Sequence, residues 1–131
     1  MNEHGFIKSV HRYLPSDVFV WKIHDTFAGG VPDAFYAGPA GILFVEYKYI
    51  KKLPARNTTA LKTTLSVQQA LWLDRMVNSK QHAALVIGCE QSAVTLVNGQ
   101  WNVPLLKNDY VKRAVSRKEI AGWITEVVCG N

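Results

Sequence analysis

Three charged residues stand beside or inside an apolar stretch of the chain. Asp33 follows a Gly-Val-Pro segment, and Glu46 and Lys48 interrupt a run that reads GILFVEYKYI over residues 41–50. Such runs form buried strands, whose surroundings ordinarily exclude charge. Because side chains alternate across a strand, Glu46 and Lys48 are expected on one face and Tyr47 on the other. The spacing therefore predicts a polar site on one face of a sheet.

A turn between the two acidic positions determines how they meet. The segment GPAG at 38–41 predicts a tight connection in a β-hairpin. If these four residues form the loop, Asp33 faces Glu46, with Cβ atoms roughly 5 Å apart. Facing carboxylates repel each other unless a cation lies between them, and a hard ion such as Mg²⁺ prefers oxygen ligands. The alternative is an ordinary ion-pair cluster in which Lys48 bridges both carboxylates.

These motifs resemble those of the PD-(D/E)XK nuclease superfamily, most closely its VRR-NUC (virus-type replication-repair nuclease) branch. The resemblance is carried by GVPD at 30–33 and EYK at 46–48. Two further matches are an acidic residue on the first predicted helix, Glu3, and the Ser-x-x-Gln at 66–69 that opens the helix after the motif. The order of elements is also similar to that family's α-β-β-β-α-β core, so the resemblance covers about residues 2–97.

The resemblance implies a divalent-metal-dependent endonuclease that hydrolyses DNA phosphodiester bonds. It implies that Asp33 and Glu46 bind Mg²⁺ or Mn²⁺ directly. The backbone carbonyl of Tyr47 would complete the ligand set, and Glu3 would contribute directly or through water. Lys48 would orient the attacking water or stabilise the developing negative charge. The resemblance implies no organic cofactor.

Gln69 has two interpretations. The family pattern places a glutamine close to the lysine, which implies that Gln69 belongs to the catalytic site and that Gln68 is the less favoured register. Ser66 followed three residues later by Gln69 is also a capping box, in which the glutamine amide satisfies a backbone N–H at the helix start. The sequence leaves both interpretations open.

Basic residues surround the predicted site. The stretch at 53–65 is the part of the chain that most resembles a flexible segment. This stretch and the residues just before it carry four basic residues that we expect to contact phosphates: Lys51, Lys52, Arg56 and Lys62. A formal charge of +5 and a pI near 9.3 agree with a polyanionic partner. The resemblance implies branched DNA such as Holliday junctions, and a homodimer because one site cuts one strand. The alternatives are a general or flap-directed nuclease and a non-catalytic nucleic-acid-binding accessory module.

Periodicity and turn residues predict the elements that position these side chains. Helices are predicted at 2–14, at 66–79 and from the capping box at 116–119 onward, and strands at 18–24, 33–37, 41–50, 83–89 and 93–97. Asn98-Gly99 predicts a hairpin turn before QWNV. The order indicates an α/β fold with a mixed β-sheet flanked by helices, which the resemblance makes a restriction-endonuclease-like core.

Length and composition bound the class of protein. A chain of 131 residues, 48% hydrophobic and 19% charged, fits a single nuclease domain over 1–131. Its core is expected at about 2–97 and a C-terminal helical extension at about 107–128. Cys89 and Cys129 lack the spacing of a structural zinc site or a disulfide scaffold. No apolar run reaches membrane-spanning length, so we expect no membrane partner and an intracellular location in a bacterium or a virus-infected host.

Overall fold

The protein consists of a central β-sheet with helices on both faces. A computed structural model of the chain describes residues 1–23 and 29–130. In chain order the elements are α1 (Glu3–His11), β1 (Phe19–Lys22), β2 (Ala34–Gly38), β3 (Gly41–Tyr49), α2 (Val67–Asn78), β4 (His82–Cys89), β5 (Ser92–Val97), a 3₁₀ helix (Gln100–Asn102), α3 (Lys107–Arg113), β6 (Val115–Ser116) and α4 (Arg117–Cys129). The end of the strand predicted at 18–24 lies outside the described residues.

The six strands form one mixed sheet in the order β1-β2-β3-β4-β5-β6. Neighbouring strands are antiparallel except β3 and β4, which run parallel. A parallel pair needs a long crossover, and the segment 50–81 with α2 supplies it. The predicted α/β class, a mixed sheet flanked by helices, is confirmed. No helix within the described ranges is long and apolar enough to cross a membrane.

The β2–β3 hairpin has the predicted register. Ala34 pairs with Val45, and the same register continued by one pair sets Asp33 opposite Glu46. The connection is two residues long rather than four, because the glycines at both ends of the 38–41 segment also pair with each other. Shortening a loop equally from both ends leaves the register of the strands unchanged.

The tip of this hairpin is fastened to α4. Ala40 donates its backbone N–H to the carbonyl oxygen of Val128 at 2.7 Å. A Cβ at Gly38 would lie 2.6 Å from that same oxygen, so only glycine permits the approach. Ile120 and Ile124 of α4 are fully buried beneath the hairpin, and the C-terminal helix is therefore part of the core rather than an appendage to it.

Hydrophobic cores lie on both faces of the sheet. The first, between the sheet and helices α1 and α4, contains Phe6 and Tyr47. The second, beneath α2 and the chain around residues 101–110, contains Leu73 and Leu85. Tyr47 thus points into the first core, as the alternation along β3 predicts, while its neighbour Glu46 meets α2 on the other face.

Two element boundaries differ from prediction. The first helix ends at His11 with Arg12 as its C-cap, not at 14, because the residue before Pro15 avoids the helical conformation. The turn at Asn98-Gly99 is present, with φ angles of 53° and 84°, but it leads into the 3₁₀ helix instead of a hairpin strand. The partner of β5 on that side is β6, which comes later in the chain.

A chain of hydrogen bonds joins α1 to β2 and β3 inside the first core. His11 Nε2 lies 2.6 Å from Tyr36 Oη, which lies 2.6 Å from Tyr47 Oη. Burial, and then the charge of Lys22, lower the pKa of His11 to about 4. Burial raises the pKa of both tyrosines. The three groups are therefore neutral at pH 7, and Tyr36 is the partner that the other two share.

Replacing Tyr36 with Phe should lower the free energy of unfolding by about 1–3 kcal/mol, because the buried Tyr47 hydroxyl and the His11 ring lose their common partner. Urea unfolding followed by circular dichroism measures the change. Tyr13→Phe is the matched control, since Tyr13 is 50% exposed. An equally small effect of both substitutions would show that the chain of hydrogen bonds adds nothing to stability.

Candidate metal centre

Glu46 lies in the middle of the sheet, where a charge is hardest to accommodate. It belongs to β3, between β2 and β4, and its cross-strand neighbour on β4 is Leu85. Only 2% of its surface is exposed. Burial, and then the charge of the nearby Asp33 carboxylate, raise the pKa of Glu46 to about 8, although the Lys48 ammonium opposes both. The site therefore calls for positive charge beside this carboxylate, or for a proton on it.

The two oxygens of Glu46 have different surroundings. Oε2 accepts a hydrogen bond from Gln69 Nε2 at 3.1 Å and lies 3.4 Å from Lys48 Nζ. Oε1 is buried and has no hydrogen-bond partner among the described residues. A buried oxygen without a partner is costly. Lys48 thus pairs with Glu46, but it leaves one oxygen of that carboxylate unsatisfied.

Asp33 is oriented by the backbone of the opposite strand. Its Oδ2 accepts a hydrogen bond from the Tyr47 N–H at 2.7 Å. Its own carbonyl oxygen accepts from the Ile23 N–H at 2.8 Å, which continues the β1–β2 ladder to this position. The carboxylate is therefore held at the end of the hairpin, close enough to Glu46 to raise the pKa of that residue.

Gln69 forms the capping box that the sequence suggested, and it also contacts the buried carboxylate of Glu46. Its side-chain Oε1 accepts a hydrogen bond from the backbone N–H of Ser66 at 3.0 Å, and its backbone N–H donates to Ser66 Oγ at 3.1 Å. Together these bonds form a complete capping box. Its Nε2 is left to donate to Glu46. Gln68 points elsewhere: a Cβ on Gly29 would clash with its side chain. The start of α2 is thereby fixed directly to the buried carboxylate.

Gly30 allows the GVPD segment to pack against the start of α2. Its φ is +86°, and a Cβ there would lie 2.5 Å from the carbonyl oxygen of Gln68. Only glycine meets both conditions. The glycine before Val31-Pro32-Asp33 is therefore required by the approach of helix and loop. Gly30 is the first residue of the GVPD motif, but its contact with α2 was not predicted from the sequence.

Glu3 comes to the site from α1. It is the first residue of that helix, behind the N-cap Asn2, and is half-buried. Burial and then the charge of Asp33 raise the pKa of Glu3, whereas Lys48 and a hydrogen bond from the backbone of Tyr49 lower it. Glu3 therefore lies within electrostatic range of the other charged residues, although it belongs to the opposite layer of helices.

The predicted phosphate-contacting residues lie in the connection that follows β3. All four are exposed: Lys51, Lys52, Arg56 and Lys62. This connection is not the flexible segment that its composition predicts. Three backbone hydrogen bonds tie it to residues 105–108, from Leu61 to Leu105, from Lys107 to Thr59 and from Asn108 to Asn57. The basic side chains are thus presented on a backbone that the later part of the chain holds in place.

The described residues contain no group of three His, Cys, Asp or Glu side chains arranged as a complete metal site. The donor set nevertheless suits a hard divalent cation. Glu46 Oε1 lacks a partner, Asp33 faces the same residue, and each further donor proposed from the sequence, the Tyr47 carbonyl and Glu3, is also an oxygen. The residues present therefore fit such an ion.

Comparison with known proteins supports the fold. No protein-family model matches the chain, and no curated protein matches it significantly in sequence. Among solved structures, Hjc of Archaeoglobus fulgidus, a Holliday junction resolvase from an archaeal hyperthermophile, matches with a TM-score of 0.58, covering 92% of this chain and 97% of that chain at 12% identity. The fold is restriction-endonuclease-like. At this identity the likeness establishes the fold alone.

Within the restriction-endonuclease-like fold, the candidate residues come from three elements and from the segment that leads into β2. Asp33 directly precedes β2, β3 carries Glu46 and Lys48, α2 carries Gln69, and α1 carries Glu3. Direct contacts join Gln69 and Lys48 to Glu46. Chain segments that are distant in sequence therefore converge on a single buried carboxylate.

The raised pKa of Glu46 makes the stability of the metal-free protein depend on pH. The pKa rises from 4.5 to about 8 on folding, so between these values the unfolded chain has lost a proton that the folded chain retains. Stability should therefore fall as pH rises through this window, with a slope of up to about 1.4 kcal/mol per pH unit from this group. Urea unfolding in EDTA from pH 5 to 8.5 measures it.

Glu46→Gln should flatten this slope and leave the variant more stable than the wild type at pH 8, because the buried charge is gone. Glu126→Gln, at an exposed position on α4, is the matched control and should keep the slope of the wild type. Parallel slopes for wild type and Glu46→Gln would show that Glu46 titrates in the folded protein as it does in the unfolded chain.

Proposed function

We propose that this protein is a divalent-metal-dependent endonuclease that hydrolyses DNA phosphodiester bonds, a member of the PD-(D/E)XK superfamily of the VRR-NUC type. The observation that carries the proposal is the unpartnered oxygen of buried Glu46, with Asp33, Lys48 and Gln69 around the same residue. A buried carboxylate that keeps one oxygen without a partner is costly for a purely structural protein. It is useful where a cation must be bound.

The proposed ligands are oxygens at the end of the hairpin. Asp33 and Glu46 would hold Mg²⁺ or Mn²⁺ directly, the Tyr47 carbonyl would complete the set, and Glu3 would contribute directly or through water. When bound, the ion would polarise the scissile phosphate and acidify a water molecule. The Tyr47 N–H keeps the Asp33 carboxylate turned toward β3, and Gln69 keeps Glu46 Oε2 occupied, which leaves Oε1 for the ion.

Besides the proposed metal ion, Lys48 would provide positive charge at the site. Its Nζ, 3.4 Å from Glu46 Oε2, is a donor with a fixed partner on one side. Its remaining protons can orient the attacking water and stabilise negative charge as it develops on the phosphate oxygens. Lys48 follows Glu46 by two residues on the same face of β3, so both groups would act on the same phosphate.

Branched DNA is the proposed substrate, and DNA repair the proposed context. Support comes from the fold shared with Hjc, a Holliday junction resolvase, and from the exposed basic set in the connection after β3 (Lys51, Lys52, Arg56 and Lys62), which would contact the phosphates that flank the scissile bond. A homodimer would supply one site for each of two symmetric strands. We also propose an intracellular location, as the substrate requires.

Cleavage of a labelled four-way junction and of its matching linear duplex, with Mg²⁺, Mn²⁺ or EDTA, tests the proposal. Metal-dependent cutting is expected, faster on the junction than on the duplex. Lys48→Ala should reduce the rate by about 100-fold or more, because a charge aimed at the transition state is lost. Lys8→Ala, which removes an exposed lysine of α1, should cleave like the wild type.

Each other outcome selects one of the alternatives. Equal rates on junction and duplex would indicate a general nuclease, and preference for a flap substrate a flap-directed one. Binding of the junction without cleavage in any metal would indicate an accessory module. Wild-type activity in Lys48→Ala would show that the proposed site is not the one that cuts.

A further inference from the structure

The sheet face that carries the metal centre continues into a row of aromatic rings. We call this row the aromatic stripe, and it consists of Phe19, Trp21, Phe35, Phe44 and Trp72. Ring centroids along it lie 6.4 Å (Phe19 to Phe35), 6.1 Å (Trp21 to Phe35), 5.2 Å (Phe35 to Phe44) and 5.0 Å (Phe44 to Trp72) apart. The stripe therefore runs without interruption from the edge strand β1 to α2.

The strand register places the stripe directly beside the candidate centre. Trp21 pairs with Phe35, and Phe35 pairs with Phe44. Two residues along the same strands, on the same face, lie Asp33 and Glu46. The aromatic rings and the carboxylates thus occupy successive rows of one surface.

The outer end of the stripe is exposed. Phe19 is 60% exposed and Trp21 56%, and Leu71, which precedes Trp72 on α2, is 60% exposed. The other face of β1 carries Val20, which packs against the first core, and Lys22, so the exposed face of this edge strand is its more apolar one, which is unusual. Rings of this size expose roughly 400 Å² over the whole stripe, more than scattered surface residues do and typical of an interaction site.

The stripe is large enough to form the apolar part of one side of a protein interface. A standard interface takes about 800 Å² from each partner, a little over half of it apolar. The stripe with Leu71 supplies most of that apolar share. Aromatic side chains are also the residues that contribute most to binding where they cluster at the centre of an interface.

The charge of the stripe favours a second copy of the chain over a nucleic acid. Two cross-strand rows make up this part of the sheet face: Phe19, Ala37 and Ile42, and Trp21, Phe35 and Phe44. Neither row contains a charged residue, so two identical faces can meet without repulsion between like charges. A platform that stacks bases needs cations beside the rings to hold the phosphates, and these rows provide none.

We infer that the aromatic stripe is the contact face through which two copies of this chain form a two-fold symmetric dimer. In such an isologous contact each stripe packs against the other. Because each centre lies two residues from its stripe, the contact would set two centres beside one interface. This last step, the pairing of two cuts, rests on the proposed function, whereas the contact itself does not.

Sedimentation equilibrium of the full chain, without metal or DNA, tests the inference. We expect a dimer for the wild type and a dissociation constant raised at least about 30-fold in Trp21→Lys, since a charge would replace one of the two most exposed rings of the contact face. Phe19→Ser is a milder second variant and should weaken the dimer in the same direction. Val111→Lys, at a 57% exposed position on α3, is the matched control and should remain dimeric. Circular dichroism establishes that each variant is folded.

The outcomes separate this inference from the nuclease proposal. A monomeric wild type at every concentration, or an unweakened dimer in folded Trp21→Lys and Phe19→Ser, would overturn the stripe as the contact face. A monomeric wild type whose binding of single-stranded DNA is lost in Trp21→Lys would overturn it in favour of base stacking. Lys48→Ala should remain dimeric, so failure to cleave DNA would leave the mass measurement, and the inference, intact.

Discussion

The opposition of two carboxylates across the β2–β3 hairpin is the constraint on which the rest of this structure depends. Asp33 and Glu46 face each other because the hairpin register, fixed by the paired glycines at 38 and 41, allows no other arrangement. Burial, and then repulsion by Asp33, raise the pKa of Glu46 to about 8. A sheet that only had to fold would gain by placing a neutral side chain at this position. The neighbouring elements therefore serve to hold a carboxylate pair that is unfavourable on its own.

The carboxylate pair is supported by two residues, Gln69 and Tyr47, and each of them makes hydrogen bonds to two different parts of the structure. Gln69 caps α2 with its oxygen and binds Glu46 with its nitrogen, so the helix cannot start elsewhere without releasing the carboxylate. The Tyr47 N–H binds Asp33, while the Tyr47 side chain joins the buried hydrogen bonds on the opposite face. Movement of β3 would thus disturb the site and the first core together. This coupling keeps the charged groups in place in a region that favours apolar ones.

Local patterns were enough to predict the centre of the molecule but not its periphery. The register of the hairpin, the opposite faces of Glu46 and Tyr47, and both capping boxes depend on residues close together in sequence. The attachment of residues 57–61 to 105–108 depends on a long-range contact that composition does not encode, and the threonine-rich stretch therefore resembled a flexible loop. The packing of Ile124 under the hairpin is equally non-local. For Gln69 the sequence offered a cap or a site residue as alternatives, and the geometry shows that one amide both caps α2 and donates to Glu46.

The same alternation that places the carboxylates also explains the exposed rings. On β2 and β3, every second residue faces the α2 side of the sheet, and α2 covers the part of this face that lies over β3 and β4, where Leu73 and Leu85 are buried. Trp72, at the border of that cover, contacts Phe44, and beyond it no described helix lies over Phe19 and Trp21. An aromatic edge strand left uncovered in this way costs solubility and favours contact between sheets. Phe35 pairs with Phe44 in the same β2–β3 register that sets Asp33 opposite Glu46. The proposed contact face and the proposed centre are therefore both consequences of that strand pairing.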